Sequence, residues 1–547
     1  MPTVTRDSIA AGDHRDLRTP FAAVALVAAS FLLLLPSLGD FPVADCFSLL
    51  TKARDLSVLQ ILHPSQTSYI NEYYRPAFVL VLKAFQAIAG PAGPLQHVFT
   101  AVLHGISAFL VYLLFIELLR ERRGALLAAL AFLAHPGNIA TVTWTTVAYA
   151  TMAGTFTLLA LLALLRYLGT GSVAALVIGG AAVLTAYLSS ETPYLLAPAL
   201  ALFVLGFARD RSRVRNRKAG LALIVALLLL TLVHYTLLER QVSAATFNPN
   251  QSPLRLPLWF LRTLPRYFAA YAGVNVAALS WPLTVAAWSA IGLAASLIAW
   301  RLGRPALFVL GLAVAGTLPY SLIDLTDRYA YFASAPALML GAHVLLAAAD
   351  RFGHLAGSCA RGLCLLAIAW FARGALGVER GWSELAMDAR NVYQGFAQVK
   401  PRLARANQLF LVNVPRFDKW IGAYQLGYRA FDAAKGQPAT AVVQWHNYFE
   451  AAGVRFAPPP ADGYPADAIL LVHEHGRLIE RTPAELKAGK VDYPIASFPR
   501  HYVVAREASE AAVSEALAAY PGDRATSSCS NPSQRASAAR SSGAAAS

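Results

Sequence analysis

The sequence predicts a polytopic, all-α membrane domain followed by a small α/β domain and a disordered tail. Of its 547 residues, 56% are hydrophobic and only 14% are charged, and the mean hydropathy is +0.48. A soluble domain carries about 25% charged residues. This composition therefore indicates a chain that crosses a membrane many times. The apolar runs stop near residue 378, where the pattern changes to that of a globular domain.

The apolar runs predict about eleven transmembrane helices, because ~30 Å of hydrocarbon needs roughly 20 residues at 1.5 Å each. The first run follows a polar segment, residues 1–20, and is expected to be an uncleaved span because no small-residue cleavage site follows it. The predicted spans are 21–38, 97–119, 124–141, 144–166, 172–189, 192–208, 219–238, 281–300, 305–323, 328–349 and 362–378.

Two segments between the spans are predicted to lie outside the hydrocarbon. Residues 76–90 are apolar but too short to cross, and Lys83 and Gln86 share one helical face. These features are typical of an interfacial helix. Residues 239–280 are interrupted by arginines and prolines and predict a second outer loop with its own interfacial helix. A further span in this region stays open as an alternative, since Tyr267 to Ser280 is apolar.

Basic residues cluster in alternate loops, as in RERR at 120–123 and RDRSRVRNRK at 209–218. The positive-inside rule then places the N-terminus in the cytoplasm and the first long loop, 39–76, outside. An odd number of spans puts the C-terminal part outside as well. The expected location is a bacterial inner membrane. The net charge of +15 is thus interpreted as a topology signal, and nucleic acid is not an expected partner.

The chain beyond the last span is predicted to form an extracytoplasmic α/β domain, residues 379–521. An amphipathic pattern starts at Trp382, LFLVNVP at 409–415 is typical of a buried strand, and 467–481 is typical of a hairpin. The tail, 522–547, is of low complexity and is predicted to be disordered.

The first outer loop collects polar residues that are rare elsewhere near the membrane. Charged groups at the bilayer centre cost about 2.5–3.5 kcal/mol each, so such a concentration at one membrane face indicates a lid or a reaction site, and we favour a reaction site. The ends of at least four other segments bring polar groups to the same face. The candidate site residues are Asp40, Asp45, Glu72, Arg75, His97, His104, His135, Glu191, Asp327 and Arg328.

Several of these segments resemble the membrane glycosyltransferases of the GT-C fold. They are YRPAF, QHVFTAVLHGISAFLVYLL, AFLAHPGNIATVTW, LSSETPYLLAPAL and DRYAYFASAPAL, and the resemblance covers roughly residues 20–350. It is closest to the protein-O-mannosyltransferase and tetratricopeptide-linked branch, and to bacterial relatives that glycosylate lipid A or surface polymers. The resemblance implies a polyprenyl-phosphate-linked sugar donor, an outward-facing site and an acidic base in the first outer loop, Asp45 or else Asp40.

The residue types suit that chemistry. A carboxylate can take the proton of the acceptor, and cations can stabilise the departing lipid phosphate. Arg75 and Arg328 are the candidate phosphate ligands because a guanidinium binds phosphate through two donors, with His97 or His104 as helpers. No metal-ligand spacing is present, and a divalent cation stays open.

Each candidate also has a structural interpretation. Asp45 could be a solvated loop residue, Arg75 an interfacial anchor and Glu191 a helix cap. Arg328 with Asp327 could form a charge pair at a helix end. The two histidines of the second span, His97 and His104, could serve helix packing.

The expected function is that of a hexosyl- or pentosyltransferase acting on a lipid, glycan or protein of the cell envelope, with membrane lipids around it. The alternative is a non-catalytic transporter, flippase or assembly scaffold for surface polysaccharide. A transporter should carry charges at the bilayer midplane and often internal repeats. In this chain the charges lie at the outer ends of the spans and no clear repeat is visible.

Overall fold

The computed structural model describes most of the membrane part and four strands of the C-terminal part. The main described ranges are 18–43, 46–63, 74–90, 93–207, 213–239, 300–317, 327–399, 409–412, 444–446, 469–474 and 477–482, with isolated residues between them. The helices are α1 (Arg18–Leu34), α2 (Cys46–Asp55), α3 (Val58–Leu62), α4 (Pro76–Ala89), α5 (Leu95–Leu119), α6 (Arg122–Ala134), α7 (Pro136–Thr143), α8 (Ala148–Thr170), α9 (Val173–Tyr187), α10 (Leu196–Gly206), α11 (Arg217–Val233), α12 (Arg304–Thr317) and α13 (Asp327–Val399).

Six helical segments in the described ranges are long and apolar enough to cross a membrane, or seven if a bent pair counts as one span. The prediction of a multi-pass, mostly helical membrane protein is therefore confirmed, while the count of about eleven spans is not. Four further helical segments are apolar but shorter, and residues 281–300 and 239–280 lie largely outside the described ranges. The six segments are Thr19–Ser37, Leu95–Leu119, Thr145–Thr170, Arg217–Thr236, Ala330–Ala347 and Gly357–Asn391.

The bent pair is α6 and α7, which meet at 52°. The break falls at His135, whose extended backbone precedes Pro136 at the first position of α7. Proline lacks the N–H that a continuous helix needs, so the predicted span 124–141 is broken at the sequence HPGN. Buried side chains satisfy the carbonyl groups that the break frees. The His104 ring lies 3.0 Å from the Leu133 oxygen, and Asn138 Nδ2 donates to the Phe132 oxygen at 2.9 Å.

Helix α13 contains two predicted spans, 328–349 and 362–378, and it folds back on itself. Ser334 donates to Asn138, while Gly374 packs so closely on Pro136 that a Cβ there would lie 2.7 Å from the proline Cγ. Both residues contact the first turn of α7, so they lie close together. In a straight helix, residues 334 and 374 would be about 60 Å apart. The chain must therefore reverse its direction between them. The gap between the two predicted spans, residues 350–361, lies within the helical range of α13 and contains no proline.

The first outer stretch, predicted as a polar loop over 39–76, is partly helical instead. The reason is that α2 and α3 bury one apolar face, formed by Leu49, Ala53 and Ile61, in the core that also holds Phe78 of α4. Lys83 Nζ of α4 donates to the Ala53 and Arg54 oxygens at 3.1 and 2.8 Å and so caps α2. The bounds predicted for the helix at 76–90 are confirmed, and its interfacial location stays a prediction.

The C-terminal part contains a four-stranded mixed sheet in the order β2-β1-β3-β4. Its strands are β1 (Leu409–Val412), β2 (Gln444–His446), β3 (Ile469–Glu474) and β4 (Arg477–Arg481). Strand β1 pairs in parallel with β2 and β3, and β3 pairs antiparallel with β4. The predicted strand and hairpin are confirmed. The α/β class of residues 379–521 and the tail 522–547 stay predictions, since most of these residues lie outside the described ranges.

Candidate functional site

The structure joins two of the predicted site residues, Arg75 and Glu191, directly. Arg75 immediately precedes α4, and the Ala77 N–H donates to the Leu188 oxygen at 3.0 Å, which ties the start of α4 to the end of α9. Glu191 follows α9 by a short turn. As a result, Arg75 Nη2 donates to Glu191 Oε1 at 3.1 Å and to Oε2 at 3.3 Å.

An aromatic ring covers the other side of the arginine. The guanidinium carbon of Arg75 lies 3.6 Å from the centroid of the Tyr149 ring, within the range of a cation–π interaction. Phe78, one turn along α4, packs edge-on against the same ring. Arg75 is only 3% exposed. It is therefore held between a carboxylate and an aromatic face, an arrangement that suits a planar guanidinium and not a lysine.

Glu191 is the charged partner of this pair. Burial alone would raise the pKa of its carboxyl, but the Arg75 charge and the Ser190 hydroxyl, which donates to Oε2 at 2.7 Å, together hold that pKa below its usual range. The carboxylate is thus ionised at neutral pH. Arg75 and Glu191 form a buried ion pair without net charge.

The segment between α7 and α8 links this pair to the first outer stretch. Cys46, the first residue of α2, lies with its Sγ 3.4 Å from Thr145 Oγ1. Thr145 lies in a single 3₁₀ turn, Thr145–Val147, and Tyr149 follows as the second residue of α8. Cys46 and Arg75 therefore contact residues that are four positions apart in the chain. Asp45, which precedes Cys46 in the sequence, lies outside the described residues, and its place stays a prediction.

A histidine and three tyrosines that the sequence analysis did not single out form an aromatic cluster near this pair. The ring of His234 lies 6.2, 5.4 and 5.6 Å from those of Tyr74, Tyr187 and Tyr194. The Glu191 charge also acts on His234. One signal could have revealed it, since an ionisable residue inside an apolar helix, here LTLVHYTLL, is a functional-site hypothesis by default.

Asp40 belongs to a separate cluster at the end of α1. Its Oδ2 accepts from Ser383 Oγ at 2.8 Å, and Arg390 donates to the Gly39 oxygen at 2.8 Å. Beside it, Ser37 Oγ donates to the buried Glu379 at 3.2 Å. His97, the first predicted histidine of α5, reaches the backbone of Asp40. These contacts favour a structural role for Asp40 and His97, which fasten the end of α1 to α13 and α5.

The environment of Asp40 predicts a pH-dependent stability. Burial raises its pKa to about 6, against the smaller opposing effects of the Ser383 hydroxyl and Arg390, whereas an unfolded aspartate titrates near 3.9. The folded state therefore binds the extra proton, so stability falls as pH rises from about 4 to about 6. We expect Asp40→Asn to remove this part of the pH dependence in thermal unfolding of the solubilised protein.

Asp55→Asn, which removes an exposed carboxylate outside this cluster, is the matched control for the loss of one acidic side chain. An Asp40→Asn profile that overlays the wild type would contradict this account.

The other predicted residues do not join the Arg75 pair. His104 uses both ring nitrogens in the protein, Nδ1 with the Tyr331 hydroxyl at 2.9 Å and Nε2 with the Leu133 oxygen. His135 lies at the break between α6 and α7, with its ring edge-on to Phe371. Asp327 and Arg328 begin α13, but their side chains and all of Glu72 lie outside the description.

Within the described ranges, no three His, Cys, Asp or Glu side chains group closely enough to hold a metal ion. A divalent cation contributed with the substrate stays open.

Comparison with known families gives a match to a family of membrane transferases. Residues 75–235 match the family model of dolichyl-phosphate-mannose-protein mannosyltransferase. The resemblance noted in the sequence is thereby confirmed over this part of the chain. The matched segment begins at Arg75 and includes Glu191 and His234. A search of curated proteins gave no match.

Two solved proteins are similar in structure at low identity. One is the archaeal oligosaccharyltransferase AglB from Archaeoglobus fulgidus, solved in complex with an inhibitory peptide and a dolichol-phosphate. It is 14% identical, with a TM-score of 0.43, and the match covers 78% of this chain and 64% of AglB. The present chain thus spans less than two thirds of AglB. ArnT from Cupriavidus metallidurans is 14% identical in the apo state, with a TM-score of 0.42 over 78% of this chain and 86% of ArnT. ArnT bound to undecaprenyl phosphate is likewise 14% identical, with a TM-score of 0.41 over 77% of this chain and 85% of ArnT. Because the sequence identity is 14% and the TM-scores are below 0.5, these similarities support no conclusion about fold or function.

Proposed function

We propose that the protein is an integral-membrane glycosyltransferase of the GT-C type, which moves a sugar from a polyprenyl-phosphate donor to an acceptor outside the cytoplasm. The observation that carries the proposal is the buried Arg75–Glu191 pair, both members of which lie within the family-matched segment, 75–235. The segment 145–149, which supplies Tyr149 to that pair, also contacts the first residue of α2. Base and phosphate ligand are thereby expected to face one reaction space.

The proposed reaction is a single displacement. An acceptor oxygen attacks the anomeric carbon of the sugar, the bond from that carbon to the phosphate oxygen breaks, and polyprenyl phosphate leaves with the bonding electrons. The acceptor proton passes to the carboxylate of Asp45, our candidate general base. The resemblance to the GT-C family, which implies an acidic base in the first outer loop, supports this assignment, and Asp45 directly precedes Cys46 in the sequence.

Arg75 is the proposed ligand of the donor phosphate. A guanidinium offers five N–H donors in a fixed fork that matches the geometry of a phosphate, and the segment that matches the family model begins at this residue. Glu191 then orients the arginine. Arg328, at the start of α13, is proposed as the second cation that stabilises the leaving phosphate, and its replacement by alanine should also weaken use of the donor.

The acceptor is proposed to be a glycan, lipid or protein of the cell envelope, and the sugar a hexose or a pentose. The alternation of basic loops supports a site on the outer face of a bacterial inner membrane, with the C-terminal part on the same side. A transporter is not favoured, because the Arg75–Glu191 pair lies at helix ends and not at the middle of a span.

A transfer assay tests the proposal. Membranes that contain the protein are incubated with polyprenyl-phosphate sugars labelled in the sugar, and acceptor and lipid fractions are extracted. We expect label in an acceptor and a matching release of polyprenyl phosphate, neither of which membranes without the protein produce. Absence of transfer across a panel of hexose and pentose donors, with the protein folded and abundant, would rule the proposal out.

A further inference from the structure

His234 is a buried histidine that the reaction described above does not use. It follows α11 directly and opens a π-helical turn, His234–Glu239, in an otherwise apolar segment. Single π-helical turns occur frequently at functional sites. The residue is 3% exposed. An ionisable group so enclosed in a membrane protein needs a partner that compensates for its burial.

The imidazole has a fixed orientation. Its Nδ1 lies 2.7 Å from the Tyr194 hydroxyl, and the Tyr187 ring packs edge-on against it. Tyr187 is held in turn by Thr231, one turn earlier on α11, through a hydroxyl–hydroxyl contact of 2.5 Å. The contacts of Nδ1 with Tyr194 and of the ring with Tyr187 therefore fix the direction of the other ring nitrogen, Nε2.

Nε2 is fully buried, and among the described residues it has no hydrogen-bond partner of ordinary geometry. The Tyr187 backbone also interacts with the imidazole ring. His104 is the contrast within the described helices, since both of its nitrogens have protein partners. A buried polar atom left unpaired costs about 1–3 kcal/mol. An oriented imidazole with an unsatisfied nitrogen is what a ligand-binding histidine requires.

The surroundings indicate which ligand would fit. The Glu191 charge acts on His234, and Tyr74, whose ring faces the imidazole, precedes Arg75 in the chain. The Arg75–Glu191 pair carries no net charge, so a phosphate that enters beside it needs a further donor. If the Tyr194 hydroxyl donates to Nδ1, Nε2 carries the hydrogen and can supply that donor.

We propose that His234 is a further donor-binding residue, whose Nε2–H donates a hydrogen bond to a phosphate oxygen of the polyprenyl-linked sugar. The inference rests on the proposed function and deepens it. It assigns the phosphate a second donor near Glu191, in addition to Arg75. Tyr187 and Tyr194 hold the imidazole ring in place, and His234 itself contacts the phosphate.

The test measures binding and kinetics in lipid nanodiscs. Undecaprenyl phosphate is the probe, and its affinity is read from the rise in melting temperature of the full chain. We expect His234→Ala to weaken this affinity and to raise the donor KM at least tenfold, with the acceptor KM unchanged. His234→Gln retains an amide donor and a similar size, so it should fold normally and lie between alanine and wild type. His343→Ala, at a half-buried histidine beside Phe115, is the matched control and should behave as wild type.

The outcomes separate the two proposals. If both His234 variants keep the wild-type affinity and donor KM while Arg75→Ala loses them, the inference is wrong and the proposed function stands. If the wild type neither binds undecaprenyl phosphate nor transfers sugar, both the proposed function and the inference about His234 are wrong. Equal protection by inorganic phosphate would overturn the assignment to the lipid-linked phosphate.

Discussion

Asp45→Asn is expected to reduce the kcat for sugar transfer by about 10²–10⁴-fold, the usual contribution of a general base. Asparagine keeps the size and polarity of the side chain but cannot accept the acceptor proton. The donor KM should change little, because the phosphate ligands are untouched. The measurement is the initial rate of transfer from a labelled polyprenyl-phosphate sugar at saturating donor and matched expression.

Asp40→Asn is the informative comparison for this prediction. Asp40 accepts a hydrogen bond from Ser383, which an asparagine oxygen can also accept, so we expect at most a few-fold change in rate. Loss of transfer in Asp40→Asn together with normal transfer in Asp45→Asn would move the base to Asp40. Normal transfer in both variants would contradict the single-displacement chemistry proposed for the first outer stretch.

Removing Arg75 is expected to affect both stability and donor use, and the two effects can be separated. Arg75→Met leaves Glu191 buried without its partner, a change that costs about 3–5 kcal/mol in comparable buried pairs. The double variant Arg75→Met/Glu191→Leu removes both charges and should recover most of that stability. It should still show a donor KM raised at least tenfold, equivalent to ~1.4 kcal/mol, because the phosphate has lost its arginine.

The surface pair of Arg166 and Glu117 provides the control. These side chains are 46% and 39% exposed, and Arg166→Met should therefore change stability by about 0–1 kcal/mol. Arg75→Lys should rescue donor use only in part, since lysine lacks the bidentate fork. If the stable double variant uses the donor as well as the wild type does, Arg75 is a structural residue and the phosphate must bind elsewhere.

Local features of the helices follow from the sequence alone. The apolar run at 97–119 is a helix from Leu95 to Leu119, the short run after Arg75 is a helix that ends before Gly90, and Pro136 breaks the span that contains it. Each of these results depends on properties of neighbouring residues: hydropathy over a window, a missing N–H, or a glycine with positive φ at a helix end. The family resemblance is likewise visible in short local motifs.

The sequence also determined which groups needed partners, because a charge near a membrane cannot stay unpaired at low cost. Only the tertiary structure decided what those partners are. Arg75 meets Glu191 across 116 positions, and Asp40 meets Ser383 across 343. His234 gains its role from tyrosines on separate segments. Pairing between distant helices depends on how their faces pack, and helix packing is set by the shapes of many side chains at once, which no local pattern records.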